Sequence, residues 1–149
     1  MPSATNIGSF SFRTVLKTML TPGVPTVTIR QAAQLEGSVV FLDCRERAEY
    51  EVSHLHNAVW VGYNDFDLSR VSFAKEEKLI AYCSIGKRSD VITKRLLQEG
   101  YTDVRNLVGG IFEWSNQGFP VYKFSAETVD VHVYNAFWGR WLKKGNKIW

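Results

Sequence analysis

The chain has 149 residues, enough for one domain that buries a hydrophobic core without disulfide or metal staples. Its 45% hydrophobic and 22% charged residues are ordinary soluble globular composition, and a net charge of +3 is too small to argue for nucleic acid. Two cysteines exclude a disulfide framework and point to free thiols in a reducing, cytoplasmic setting, and no apolar run approaches the roughly 18 residues that span a bilayer.

In the first segment Phe12, Val15, Leu16, Met19 and Leu20 fall at spacings that make one face of an amphipathic helix. The same stretch has no acid before Glu36 and carries Arg13 and Lys17, which is also compatible with an organellar transit peptide. "TPGVP" (21–25) is a turn or linker, "TVTI" a short strand, and "RQAAQLEG" a short helix stopped at Gly37. "SVVFLD" (38–43) is a continuous apolar run ending in an acid, the pattern of a strand buried on both faces. "CRERAEYEV" reads as helix and "NAVWV" (57–61) as another strand, and "GYNDFDLSRVSFAKEE" mixes loop and weak helix.

"KLIAYC" (78–83) repeats the buried-strand pattern and ends on Cys83. "SDVITKRLLQEG" (89–100) is the clearest helix, with Ser89 as its expected N-cap and Gly100 as its stop. "YTDVRNL" gives one more strand and "GGIFEWSNQG" (109–118) a short helix between glycines. Short strands alternating with helices predict an α/β fold around a parallel sheet. The last segment, 129–149, concentrates Trp138, Trp141 and Trp149 with Arg140, Lys143, Lys144 and Lys147. It suits a membrane surface or polyanion, or a terminal helix docked on its own domain, and the four-residue spacing of Val133, Phe137 and Trp141 favours docking. His56 and His132 read as surface residues, and no His–Cys spacing suggests a metal site.

In a parallel α/β sheet, ligands bind beyond the carboxyl ends of the strands, which is where Cys83 falls. The loop "CSIGKR" runs from Cys83 into the next helix. Backbone N–H groups in such a turn can form an anion-binding nest, Gly86 supplies the freedom for the curve, and the helix N-terminus adds positive potential. These effects, with Lys87 and Arg88 if they turn inward, favour a thiolate over a thiol. A thiolate in an anion cradle can attack phosphorus, attack arsenate, or accept a sulfane sulfur. Only Ser84, Ile85, Gly86 and Lys87 separate Cys83 from Arg88. Protein tyrosine phosphatases need a loop one residue longer to wrap a tetrahedral oxyanion, so the shorter loop suggests a single persulfide sulfur.

The chain resembles the single-domain rhodanese (sulfurtransferase) family from about residue 26 to 122. "VVFLDCRERAEY", "SHLHNAVWV", "YCSIGKRS" and "GGIFEWSNQGFPV" match that family's segments in order, the third being its active-site loop C-x-x-G-x-R-S. The resemblance implies a central parallel sheet of about five short strands with helices on both faces. It implies a rhodanese domain over 26–124, to which the residue patterns add a helix and linker over 1–25 and a basic aromatic segment over 125–149 docked on the domain. It also implies Cys83 as the residue that carries sulfur from a donor such as thiosulfate to cyanide, a thiol or an acceptor protein. Ser84, Ile85, Gly86, Lys87, Arg88 and Ser89 become the expected substrate-binding loop, with no cofactor and no nucleic acid. Asp43, Arg45 and His54 match motif positions whose role in the family is structural support.

Ser53, His56 and Asn57 stand where the family has glycine, proline and glycine, which questions the shape of that loop. Cys44 stands where an apolar residue is usual. It reads either as a small buried hydrophobe or as a resolving thiol for Cys83, since both end parallel strands. Two other functions fit the same residues. One is a phosphatase or arsenate reductase of the same fold, and the other is a non-catalytic interaction or sulfur-carrier module that presents the C-terminal segment to a partner.

Overall fold

The computed structural model describes residues 14, 16 and 18–149. Of the predicted first helix, Phe12 and Val15 lie outside the described residues, while Thr14, Leu16, Thr18 and Met19 are helical. Leu16 is buried in the main core and Met19 and Leu20 pack against it.

Strand β1 (Thr26–Val27) leads at once into helix α1 (Ile29–Gln34). The switch is set by Thr28, whose hydroxyl accepts from the Gln31 N–H while the Gln31 side chain accepts from the Thr28 N–H, both at 3.1 Å. Then follow β2 (Val40–Asp43), α2 (Arg47–Val52), β3 (Val59–Trp60), a 3₁₀ turn (Leu68–Arg70) and β4 (Leu79–Tyr82). Helix α3 (Lys87–Gln98), β5 (Val104–Leu107) and α4 (Gly110–Asn116) complete the central layer.

The five strands form one parallel sheet in the order β1-β5-β4-β2-β3. The apolar runs behave as strands buried on both faces. Phe41, Ile80 and Tyr82 join the core beneath α1 and α4, whereas Leu42, Cys44, Leu79 and Ala81 join the core with Ile92 and Leu96 of α3. Helices therefore cover both faces. From β2 the chain passes outward to β3 and then back to β4 on the other side of β2, so the strand order reverses between β2 and β4. That reversal opens a crevice at their carboxyl ends.

Two expectations are corrected. Helix α3 is capped by Gly86 and begins at Lys87, so Ser89 lies inside its first turn and its hydroxyl is turned to the neighbouring strand instead of capping. The C-terminal segment is not one helix. A hairpin of β6 (Val121–Lys123) and β7 (Ala126–Thr128) is followed by β8 (Asp130–His132), the single turn α5 (Ala136–Gly139) and β9 (Asn146–Ile148), which pairs in parallel with β8. Tyr134, with φ +68°, turns the chain out of any continuous helix between Val133 and Trp141. Val133 and Trp141 are buried, but Phe137 is 52% exposed. Asn116 holds the segment down: its carbonyl accepts from the N–H groups of Lys143 and Lys144, and its amide donates to the Trp141 carbonyl. His132, expected at the surface, is half-buried.

Candidate active site around Cys83

Cys83 follows the last residue of β4 and sits in the crevice, 1% exposed. Its sulfur is met by the Gly86 N–H at 3.1 Å and by the Ser89 hydroxyl at 3.4 Å. The curve that brings the N–H back requires φ +127° at Gly86, a value that strains any residue with a Cβ. Asn106 on β5 fixes the surroundings. Its amide donates to the Gly86 carbonyl at 2.9 Å, which leaves its oxygen facing Ser89 at 2.6 Å.

The Ser89 hydroxyl has one proton and two acceptors. Directed at Asn106, it leaves a lone pair for a Cys83 S–H; rotated, it donates to a sulfur anion. Replacing Asn106 with Leu should leave both the Gly86 carbonyl and Ser89 without that partner, at about 1–3 kcal/mol per buried group. We expect the Asn106→Leu denaturation midpoint to fall by an amount equivalent to about 2 kcal/mol or more, with slower attack by Cys83 on a sulfur donor. An unchanged midpoint would show that the amide does not hold the loop.

The loop carbonyls are satisfied from below. The N–H groups of Gly109, Ile111 and Phe112 donate to Ile85, Cys83 and Ser84 respectively, at 2.9, 2.9 and 3.1 Å. The start of α4 thus serves as the floor of the loop.

Arg88 does not reach for the sulfur. Its guanidinium makes a two-pronged bond to Glu49 of α2, at 2.8 and 3.0 Å, and a third bond to the Ser84 hydroxyl at 2.9 Å. It lies 4.4 Å from the centre of the Tyr134 ring. Lys87 is exposed and has no ion-pair partner among the described residues. Ser84 and Ile85 are buried in the loop wall. Of the expected binding residues, then, Gly86 and Ser89 touch the sulfur, Ser84 and Arg88 brace the loop, and Lys87 stands at its mouth.

Burial works to raise the Glu49 carboxyl, but the hydrogen bonds of Arg88 and the charges of Arg45 and Arg88 outweigh it and hold the group below its ordinary value of 4.5. A depressed carboxyl contributes stability that is fully present above its unfolded value and is lost as pH falls through its folded value. Wild-type denaturation midpoints should therefore fall as pH drops below about 4.5, and Glu49→Gln should flatten that acid-side slope. Identical slopes in the two proteins would remove Glu49 from the brace.

Asp43 and Arg45 form a fully buried pair, with two bonds of 2.8 and 2.9 Å. Arg45 also donates to the Ser53 carbonyl, and the Tyr82 hydroxyl donates to Asp43 at 2.6 Å. Together they tie β2, β4 and the chain after α2 into one unit behind the site. His54 exchanges backbone hydrogen bonds with Tyr122, donates its Nδ1–H to the Leu55 carbonyl and stacks on Tyr50. Asn57 takes φ +58°, so it adopts the left-handed conformation natural to the glycine it replaces, as asparagine does more readily than most residues.

Cys44 is buried among apolar side chains, and its S–H points to the Leu42 carbonyl at 3.6 Å. Burial, followed by the nearby charges of Cys83 and Asp43, pushes its thiol well up, so it stays protonated. Its N–H donates to the Tyr82 carbonyl, which sets the two cysteines on neighbouring strand ends, both as free thiols.

A cavity of about 210 Å³ opens onto Cys83. It is lined by the loop and by Tyr63, Asn64, Tyr134 and Trp138. The loop is visible in the sequence, whereas the places of Glu49, Asn106, Tyr134 and Trp138 at the site appear only in the structure. Glu49 carried a signal, being the acid before an aromatic in the α2 segment. The others are placed by tertiary packing alone.

Comparison with known proteins agrees with this fold. A tRNA uridine(34) hydroxylase from Erwinia tasmaniensis is 32% identical over 92 residues, which are 55% of this chain and 26% of that protein. The chain thus spans about a quarter of the length of such curated relatives. A rhodanese-related protein from Thermoplasma volcanium shares the fold with a TM-score of 0.61 at 21% identity, over 66% of this chain and 98% of its own. A thiosulfate sulfurtransferase from Pseudomonas aeruginosa does so with a TM-score of 0.61 at 20% identity, over 69% of this chain and 21% of its own. The sequence pattern of the Rhodanese-like domain matches residues 28–117, more than half of the sequence, and the chain belongs to that family.

Proposed function

We propose that this chain is a sulfurtransferase that carries a sulfane sulfur on Cys83. The carrying observation is the aim of the Gly86 N–H and the Ser89 hydroxyl at one sulfur atom beneath an open cavity. With thiosulfate as donor, the Cys83 thiolate attacks the outer sulfur. A new S–S bond forms, the donor S–S bond breaks, and sulfite leaves with its electron pair. The persulfide anion Cys83–S–S⁻ is solvated by the loop donors. Cyanide or a thiolate, free or on an acceptor protein, then takes the outer sulfur and returns the Cys83 thiolate.

The short loop supports this reading over phosphate or arsenate chemistry, as does the engagement of Arg88 with Glu49 and Ser84. A reducing, cytoplasmic setting accords with the two free thiols. The test is the intact mass of the protein after thiosulfate, with cyanide added afterwards. A gain of one sulfur, reversed by cyanide, is expected. Hydrolysis of an aryl phosphate with no sulfur gain from any donor would overturn the proposal.

A further inference from the structure

Two residues of the cavity wall come from outside the matched domain. The family pattern ends at residue 117, yet Tyr134 and Trp138 line the cavity together with Cys83, joined by Tyr63. This placement is built, not incidental. Val131, Val133, Trp141 and Leu142 anchor the segment in the core, Asn116 pins its far end, and β8 packs on α2, the helix that carries Glu49. The Tyr134 ring covers the Arg88 guanidinium, and its backbone N–H donates to His132 Nδ1 at 2.9 Å.

The cavity is therefore two-sided in chemistry. Near Cys83 it is lined by Lys87, whose cation has no ion-pair partner among the described residues and suits an anionic sulfur group. Tyr63, Tyr134 and Trp138 add aromatic side chains to the lining, which suit a flat unsaturated group. Its volume of about 210 Å³ leaves room for an organic group beside the reacting sulfur.

We propose that the C-terminal segment is a specificity element: Tyr134 and Trp138 select an organic sulfur donor that carries its anionic sulfane group on a flat aromatic ring. This rests on the sulfurtransferase reading. The aryl thiosulfonate binds with its ring between Trp138 and Tyr134 and its sulfonyl oxygens toward Lys87. The Cys83 thiolate attacks the outer sulfur, forming one S–S bond and breaking another. The aryl sulfinate anion leaves with the electron pair.

The test compares kcat/KM for benzenethiosulfonate and methanethiosulfonate, which share the reacting group and differ in the ring, with persulfide on Cys83 followed by mass. Wild type should favour the aryl donor. Trp138→Leu and Tyr134→Leu, which keep bulk but remove the aromatic face, should each lower the aryl-to-methyl ratio several-fold, up to about tenfold. Tyr134 is 45% exposed, so Tyr134→Leu keeps the test open if Trp138→Leu fails to fold. Persulfide formation with a ratio unchanged by both substitutions would overturn the selectivity proposal and leave the sulfurtransferase reading standing. No persulfide from any donor would overturn both.

Discussion

Cys83→Ser is expected to abolish sulfur loading while leaving the fold intact. The serine oxygen can accept the same Gly86 N–H that now meets the sulfur at 3.1 Å, so the loop keeps its donor and its shape. An alcohol at this position is a far weaker nucleophile than a thiolate and cannot hold a stable terminal persulfide. Loss of an attacking atom typically lowers turnover by on the order of 10³-fold or more. The mass gain after thiosulfate or a thiosulfonate should vanish. The companion variant Cys44→Ala should retain it. Cys44 is buried, protonated and pointed at the Leu42 carbonyl, so it makes no attack on an incoming donor. Sulfur gain in Cys83→Ser, or its loss in Cys44→Ala with the fold preserved, would move the chemistry from Cys83. A disulfide between the two cysteines after oxidation, seen as a loss of two hydrogens and absent in Cys44→Ala, would give Cys44 the resolving role that its position on the neighbouring strand end allows.

The sheet and the loop were legible in the sequence for the same reason. Strands buried on both faces must be apolar throughout, so "VVFLD" and "KLIAYC" announce themselves, and each ends where polar chemistry begins. Gly86 marked the tight curve after Cys83 because only glycine tolerates that backbone. What escaped notice came from pairing between distant segments. Asn106 sits in a strand whose pattern says only that it is short, and nothing in that pattern shows that its amide bridges Gly86 and Ser89. Ser89 has the residue type of an N-cap, but the loop places it one turn too late and gives its hydroxyl a different task. The C-terminal segment was read by helical spacing, and Val133 and Trp141 are indeed both buried. They reach the core through a strand and a turn, however, and the turn is what swings Tyr134 and Trp138 over the cavity. A periodicity argument assumes one regular element and cannot see that break.

Gly110→Ala should be the most damaging change away from the cysteine itself, and the reason lies in the floor of the loop. Gly110 has φ +59°, and a Cβ there would run into the Cys83 carbonyl oxygen and stand 2.5 Å from that of Ser84. Neither atom is the end of a flexible side chain; both belong to the loop backbone that receives the N–H groups of Ile111 and Phe112. Relief requires α4 or the loop to move, which breaks those bonds and shifts the Cys83 sulfur away from its donors. Overpacking of about 1–3 kcal/mol and a left-handed alanine at about 1–2 kcal/mol together predict a loss of about 2–5 kcal/mol. Gly118→Ala separates the two contributions. Gly118 also has positive φ, +87°, but a Cβ there meets nothing within 4 Å. It should lose only the conformational part, about 1–2 kcal/mol, and load sulfur at the wild-type rate. Gly110→Ala should lose stability and sulfur loading together. Equal denaturation midpoints and equal loading rates in the two variants would show that the close approach of α4 to the loop is not what shapes the site. If Gly110→Ala alone fails in both measurements, the paired glycines 109 and 110 are there to let a helix start directly beneath the reactive thiol.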